Sequence, residues 1–337
     1  MRRRHFLALG LGAGPARAWQ QARDTVTATA TQDRTPRVAI VLSSFKSGAD
    51  HDGATIAGLA DPRPRNADLT DAQIEAMVRR AVEIGDTRRG DLRKVIAPDE
   101  WVAIKVDLSS WPGKPGYVRG MATDPRIVSG LVSWLANNKC GGRFTIADAA
   151  PAAAWDADFD GLGYRRMIAG FTRRYPEVRF EILDFNSSDC AELPVPGKSN
   201  VRYRIPSLIQ ETDRLISVAP LNRLSMPNYL SLARDKAAST DEAVVDLFSY
   251  HPADYAIAGG CWYVKDGVAV RNNLVVAGFS ALAVDAVGAA ILGRKPDSAA
   301  MFKLAWKRGF GIYDLDSIWA RGNEIEEARP ARSGSGC

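Results

Sequence analysis

The chain has 337 residues, 46% hydrophobic and 25% charged, which excludes a disordered or collagen-like polymer and leaves enough length for one large or two modest cored domains. Its formal charge of +5 would favour an anionic partner, but Arg2, Arg3, Arg4 and Arg17 all lie in the first eighteen residues. Without those four, the 44 basic side chains become 40 against 39 acidic ones, so the remainder is almost neutral and nucleic acid is not an expected partner.

Residues 1–18 combine a basic cluster, the apolar run Phe6–Gly14 and the small-residue pattern Ala16-Arg-Ala18, which together read as a secretory signal peptide. The run is about half the ~20 residues a membrane-crossing helix needs, so no stable membrane anchor is expected. Arg3-Arg4-His5-Phe6-Leu7 is similar to a twin-arginine signal, whose export machinery carries folded proteins; an ordinary signal with an Arg-rich start is the alternative. The expected location is periplasmic or otherwise extracytoplasmic. Residues 19–35 are polar and Thr/Ala-rich and are expected to form a flexible mature N-terminus.

Folded structure is expected over 36–327. Val38–Leu42 is an apolar run of strand length, and a Gly/Asp/Pro-rich loop follows over 43–69. Thr70 and Gln73 then supply a capping box, and Ile74, Met77, Val78, Ala81 and Val82 share one helical face before Gly85. In Trp101–Leu108 apolar residues alternate with Ala103, Lys105 and Asp107, which predicts a strand carrying Lys105 and Asp107 on one face. Asp124-Pro125 reads as N-cap and first residue of a helix reaching about Asn138, and Phe144–Ala147 as a strand ending at Asp148. A helix near 161–174 and strands at 178–183, 201–205 and 214–219 come next. They are followed by a helix at 241–249, strands at 255–258 and 273–277, and helices at 281–292 and 297–309. The tail from 328 is expected to be disordered. This alternation predicts an α/β fold, a largely parallel mixed sheet with helices on both faces, in one body or two lobes.

In such sheets ligands bind beyond the carboxyl ends of the strands. Four strand ends carry suitable residues: Lys105 with Asp107, Asp148, Asn222 with Arg223, and the Gly259-Gly260 pair. Lys105 and Asp107, about 7 Å apart on one strand face, are placed to reach one ligand or to pair with each other. Asp285 is the one ionisable residue in the apolar stretch Ala281–Leu292; it is either a site carboxylate or an anchor for a neighbouring loop's amides. Asp156, Asp158 and Asp160 before Gly161 match the opening of a calcium loop, but Met167 stands where its closing bidentate Glu belongs, which favours an incidental acidic turn. Cys140, Cys190, Cys261 and Cys337 are widely spaced without a C-x-x-C, so an iron–sulfur cluster is not expected and buried free thiols are. His51 and His251 alone survive signal removal, too few for a histidine-based zinc centre.

The order of several segments resembles the DUF362 family, a group without assigned function, over about residues 37–327. The resemblance rests on Ile104-Lys-Val-Asp-Leu108, Thr123-Asp-Pro125, Ile146-Ala-Asp148, Leu215–Leu221 and above all Val275–Ala289 with Asp285 inside it, running on to Gly309-Phe-Gly311 and Asp316-Ser-Ile318. Lys105, Thr123, Asp148 and Asp285 keep the family's polar positions. Asn222-Arg-Leu224, Ser231-Leu-Ala-Arg234 and Ile257-Ala-Gly-Gly260 depart from them, and the ferredoxin cysteines of some members are missing.

Two functions follow as expectations. In the first, an exported enzyme acts on a small anionic substrate, with Lys105, Asp148 and Asp285 as catalytic groups or, for the carboxylates, as ligands of a divalent metal. Asp107, Thr123, Asn222 and Arg223 then bind the substrate. In the second, the same scaffold has shed family site residues and serves as a non-catalytic periplasmic binding or accessory protein.

Overall fold

The computed structural model describes residues 35–50, 52–86, 90–149, 159–233 and 240–330. The signal segment 1–18, residues 19–34 of the expected flexible N-terminus, Asp156 and Asp158 of the acidic turn, His51, Arg234 and the tail from 331 lie outside them.

The chain opens with strand β1 (Arg37–Leu42), a small hairpin of β2 (Ser47–Ala49) and β3 (Thr55–Ala57), and helix α1 (Asp71–Ile84). The hairpin falls inside the expected loop 43–69. Thr70 caps α1 through the capping box expected from Gln73. The helix buries Ile74, Met77, Val78, Ala81 and Val82, side chains worth about 1.5–3 kcal/mol each for the larger ones. A short α2 (Leu92–Val95), β4 (Trp101–Lys105), α3 (Pro125–Asn137) and β5 (Arg143–Asp148) follow, then α4 (Tyr164–Arg174) and β6 (Arg179–Asp184). The pair β7 (Cys190–Val195) and β8 (Lys198–Pro206) forms a separate antiparallel ribbon, so the strand expected at 201–205 lies outside the main sheet. The order continues with α5 (Leu208–Glu211), β9 (Arg214–Ala219), a 3-10 segment (Pro227–Leu232) and α6 (Asp241–Phe248). Next come β10 (Tyr255–Lys265), β11 (Val268–Gly278), α7 (Ala281–Ile291), α8 (Ala300–Lys307), β12 (Trp319–Gly322) and α9 (Ile325–Ala328). Ala328, the first residue of the expected tail, closes α9 and is buried.

Eight strands form one sheet in the order β12-β1-β11-β10-β9-β4-β5-β6. Every neighbouring pair is parallel except β1–β11 and β11–β10, so β11 alone runs against the rest. Alternation along the strands feeds two cores. On one face Val102, Ile104, Phe144, Ile146, Ile216 and Val218 pack under α1, α3 and α4. On the other, Ala103, Ala147, Leu215, Ala256 and Ala258 pack with the β7–β8 ribbon, α6, α7 and α8. Both faces are thus covered, as a mostly parallel sheet requires.

The chain moves outward from β4 through β5 to β6, and in the opposite direction from β9 to β10. A crevice therefore opens beyond the carboxyl ends of β4 and β9, the position at which an open α/β sheet receives ligands.

Candidate functional site

At this crevice β4 ends at Lys105; Val106 and Leu108 stay in the core that holds Val102 and Ile104, and Lys105 and Asp107 alternate with them. They serve different partners. Lys105 is 0% exposed, and its ammonium spends all three donors inside the protein. It donates to the carbonyl of Val106 at 2.6 Å, to Asp148 Oδ1 at 2.6 Å and to Asn228 Oδ1 at 3.0 Å. The Phe185 ring lies 5.9 Å from it.

Asp148 is equally occupied. Besides Lys105, its Oδ1 accepts from the amide of Ala149 at 2.7 Å and the hydroxyl of Ser231 at 2.8 Å, and its Oδ2 accepts from the amide of Leu108 at 2.5 Å. Asn228 returns its amide group to the carbonyl of Lys105 and to Ser217 Oγ, both at 3.1 Å. A charge pair buried this deeply is tolerable only when its polar atoms have partners, and here all three ammonium protons and both carboxylate oxygens do.

Asp107, 4% exposed, accepts from the amide of Ser109 at 2.9 Å and forms an ion pair with Arg223 Nε at 2.7 Å. Arg223 is the half-exposed member and also reaches Ser109 Oγ. Thr123 Oγ1 accepts from the amide of Asp107 at 2.8 Å and donates to the carbonyl of Val218 at 2.9 Å, stapling the end of β4 to β9. Asn222 does not join this group: its amide is engaged by the backbone of Val264, whose N–H donates to Asn222 Oδ1 at 2.7 Å. Of the expected substrate-binding residues, then, Asp107, Thr123 and Arg223 come together at the crevice, and Asn222 is spent on the β10–β11 hairpin.

Asp285 is 0% exposed on the buried α7 and accepts from the amides of Ser225 at 2.6 Å and Met226 at 2.7 Å. It holds the loop leading into the 3-10 segment that carries Asn228 and Ser231, which is the loop-anchor arrangement. Burial pushes its carboxyl up to about 7, against the pull of the two amides. Among the described residues no three His, Cys, Asp or Glu side chains converge to hold a metal ion. The oxygens of Asp148 and Asp285 are already taken by protein donors. Cys140 and Cys261 are free thiols; burial, with Asp124 adding to it, pushes Cys261 up to about 12.

An open cleft of about 710 Å³ lies beside this packed centre, over α3 from its first turn to Ser133. Its floor is Arg126, Ser129 and Ser133 of α3, and it is flanked by α1 and α4, the 112–124 loop and the segment Gly259, Gly260 and Trp262. The two glycines are not a strand end: β10 runs on to Lys265 through a bulge between Gly260 and Trp262. They mark instead where β10 leaves β9, whose pairing stops at Ala258. Gly259 has φ +154°, and a Cβ there would stand 2.3 Å from the carbonyl oxygen of Leu274, so no other residue fits without moving the strand.

Four guanidinium groups border the cleft: Arg119, Arg126, Arg166 and Arg174. Arg126 is matched by Asp124, with Nε at 3.0 Å and Nη2 at 2.8 Å from its two oxygens. Arg119 stacks 5.2 Å from the Trp262 ring, and neither it, Arg166 nor Arg174 has a carboxylate partner among the described residues. None of these was singled out by reading strand ends. Their signal was the spacing Arg166, Gly170, Arg174, which places both arginines on one stripe of α4.

In comparisons with known proteins, the family described as a domain of unknown function (DUF362) matches residues 102–226, from β4 through the loop that Asp285 anchors. No curated protein matches the chain. Among solved structures, the lactate racemase apoprotein from Thermoanaerobacterium thermosaccharolyticum is similar at 12% identity and a TM-score of 0.33. That alignment covers 70% of this chain and 58% of the racemase chain.

Proposed function

We propose that the chain is an exported, non-catalytic binding protein of the DUF362 family, and that its ligand is a small organic anion held in the cleft over α3. One contrast carries the reading. The groups first in line for catalysis, Lys105, Asp148 and Asp285, are fully enclosed and hydrogen-bonded to the protein itself, whereas Arg119, Arg166 and Arg174 border an open cleft without a carboxylate partner among the described residues. A guanidinium presents a planar fork that matches a carboxylate or phosphate, and such a pair is stronger in a cleft than on an open surface. The polar centre then acts as a framework: it fixes the end of β4, the loop after β9 and, through Thr123, the start of α3. Family membership is supported by the match over 102–226 together with the Asp285 segment outside it. Export is supported by residues 1–18 and is tested by asking whether residues 1–35 carry a folded reporter across the inner membrane of a cell with a twin-arginine pathway.

The binding reading is tested by calorimetric titration of the mature chain with glutarate and with inorganic phosphate at low and high salt. Saturable, salt-weakened binding of at least one, abolished in Arg166→Ala/Arg174→Ala, is the expected result. Failure of both to bind at millimolar concentration, or binding unchanged in that variant, refutes it.

A further inference from the structure

The cleft is polar in two senses. Helix α1 packs against β1 and β11 and helix α4 against β6, near the two ends of the sheet, with α3 between them on the same face. Residues Asp71 and Glu75, four apart and on one stripe of α1, line one flank of the cleft; Arg166 and Arg174 line the other. Glu75 sits close over the floor, since a Cβ on Gly130 of α3 would come within 3.2 Å of its Cα. Glu75 and Arg174 both act electrostatically on the Tyr175 hydroxyl, yet no ion pair joins the flanks among the described residues. Asp71 is also within electrostatic reach of Arg126, whose charge Asp124 already matches.

Between the flanks, Ser133 is 2% exposed and lines the cleft, and its hydroxyl has no hydrogen-bond partner among the described residues. A polar side chain that is buried but opens onto a cleft without a partner is a position for a ligand's polar group. Ser129 lies one turn away on the same face of α3, so the two hydroxyls are roughly 6 Å apart. That is close to the ~7 Å between alternate residues of an extended peptide.

We infer that the cleft takes a short peptide with free termini, its carboxylate on the Arg166–Arg174 flank, its ammonium on the Asp71–Glu75 flank, and its amides against Ser129 and Ser133. This rests on the anion-binding reading above and narrows it to a zwitterionic ligand. Recognition through termini and backbone makes trialanine a sufficient probe.

The experiment titrates the mature chain with trialanine, N-acetyl-trialanine, trialanine amide and glutarate, then repeats the series on Asp71→Asn/Glu75→Gln. Both carboxylates are solvent-accessible, so the double variant keeps its fold, which is checked by its melting temperature. Expected is binding of trialanine that weakens at least tenfold on either N-acetylation or amidation, with the N-acetyl penalty vanishing in the double variant. If N-acetyl-trialanine binds within threefold of trialanine, or glutarate binds while no peptide does, the zwitterion inference is overturned and the anion site stands. If nothing binds, glutarate and phosphate included, the site itself is refuted.

Discussion

Replacing Lys105 with Met tests whether the buried polar centre is framework. Met has similar length and would lie against Phe185, so the cavity left is small. The electrostatic loss is not small. Three donor bonds disappear, Val106 O and Asn228 Oδ1 lose their partner, and Asp148, 1% exposed, loses its cation. Breaking a buried pair from one side costs about 3–5 kcal/mol, mostly the penalty of the stranded charge. Neutralising that charge as well, in Lys105→Met/Asp148→Asn, is expected to cost roughly 2 kcal/mol less than the sum of the single changes. Urea unfolding of the mature chain gives these energies, and a glutarate titration of the folded variants follows in the same samples. The framework account predicts large destabilisation with affinity retained wherever the protein folds. A Lys105→Met protein within about 1 kcal/mol of the parent that no longer binds glutarate would refute it and return Lys105 to the ligand site.

The raised carboxyl of Asp285 makes stability pH-dependent. Its folded value, about 7, lies above the ordinary 3.8, so the native state holds this proton more tightly. Its contribution is therefore fully present below about pH 4 and is lost as pH rises through 7, on the order of 4 kcal/mol in all. Asp285→Asn mimics the protonated side chain, so the stability of the variant relative to the parent should rise between pH 5 and 8 in denaturant titrations; a difference independent of pH contradicts the assignment. Thr123→Val strands the amide of Asp107 and the carbonyl of Val218, about 2–4 kcal/mol for two buried bonds, read as a lower urea midpoint at unchanged slope. Gly259→Ala puts a methyl group on the Leu274 carbonyl at a φ that L-residues avoid, and should cost at least about 2 kcal/mol in the same assay.

Much of the architecture was legible because local signals agreed with it. The capping box at Thr70, the Asp124-Pro125 start of α3 and the β9 run 214–219 stand where the pattern put them. The β7–β8 ribbon was half missed: β8 alternates Val201, Tyr203 and Ile205 toward the core, whereas in β7 only Leu193 and Val195 do so, with a proline between them. Extending β10 past Gly259 and Gly260 required seeing that two glycines can mark a bulge as well as an end.

For the site, sequence reasoning found the residues that meet at the β4–β9 crevice but not what they do there. Alternation predicted Lys105 beside Asp107; in the folded chain Asp148 takes the first and Arg223 the second, partners distant in sequence that no local pattern indicates. Arginines on helix faces were passed over because a charged stripe is ordinarily solvated. Arg166 and Arg174 became notable only when α3 and α1 closed a cleft around them.

The central claim is that an anion binds over α3 and not at the Asp107–Arg223 rim. Glutarate titrations of Arg166→Ala/Arg174→Ala and of Arg223→Ala decide this directly. Affinity lost in the first and kept in the second is the predicted result; affinity kept in the first and lost in the second contradicts the account and places the ligand at the crevice.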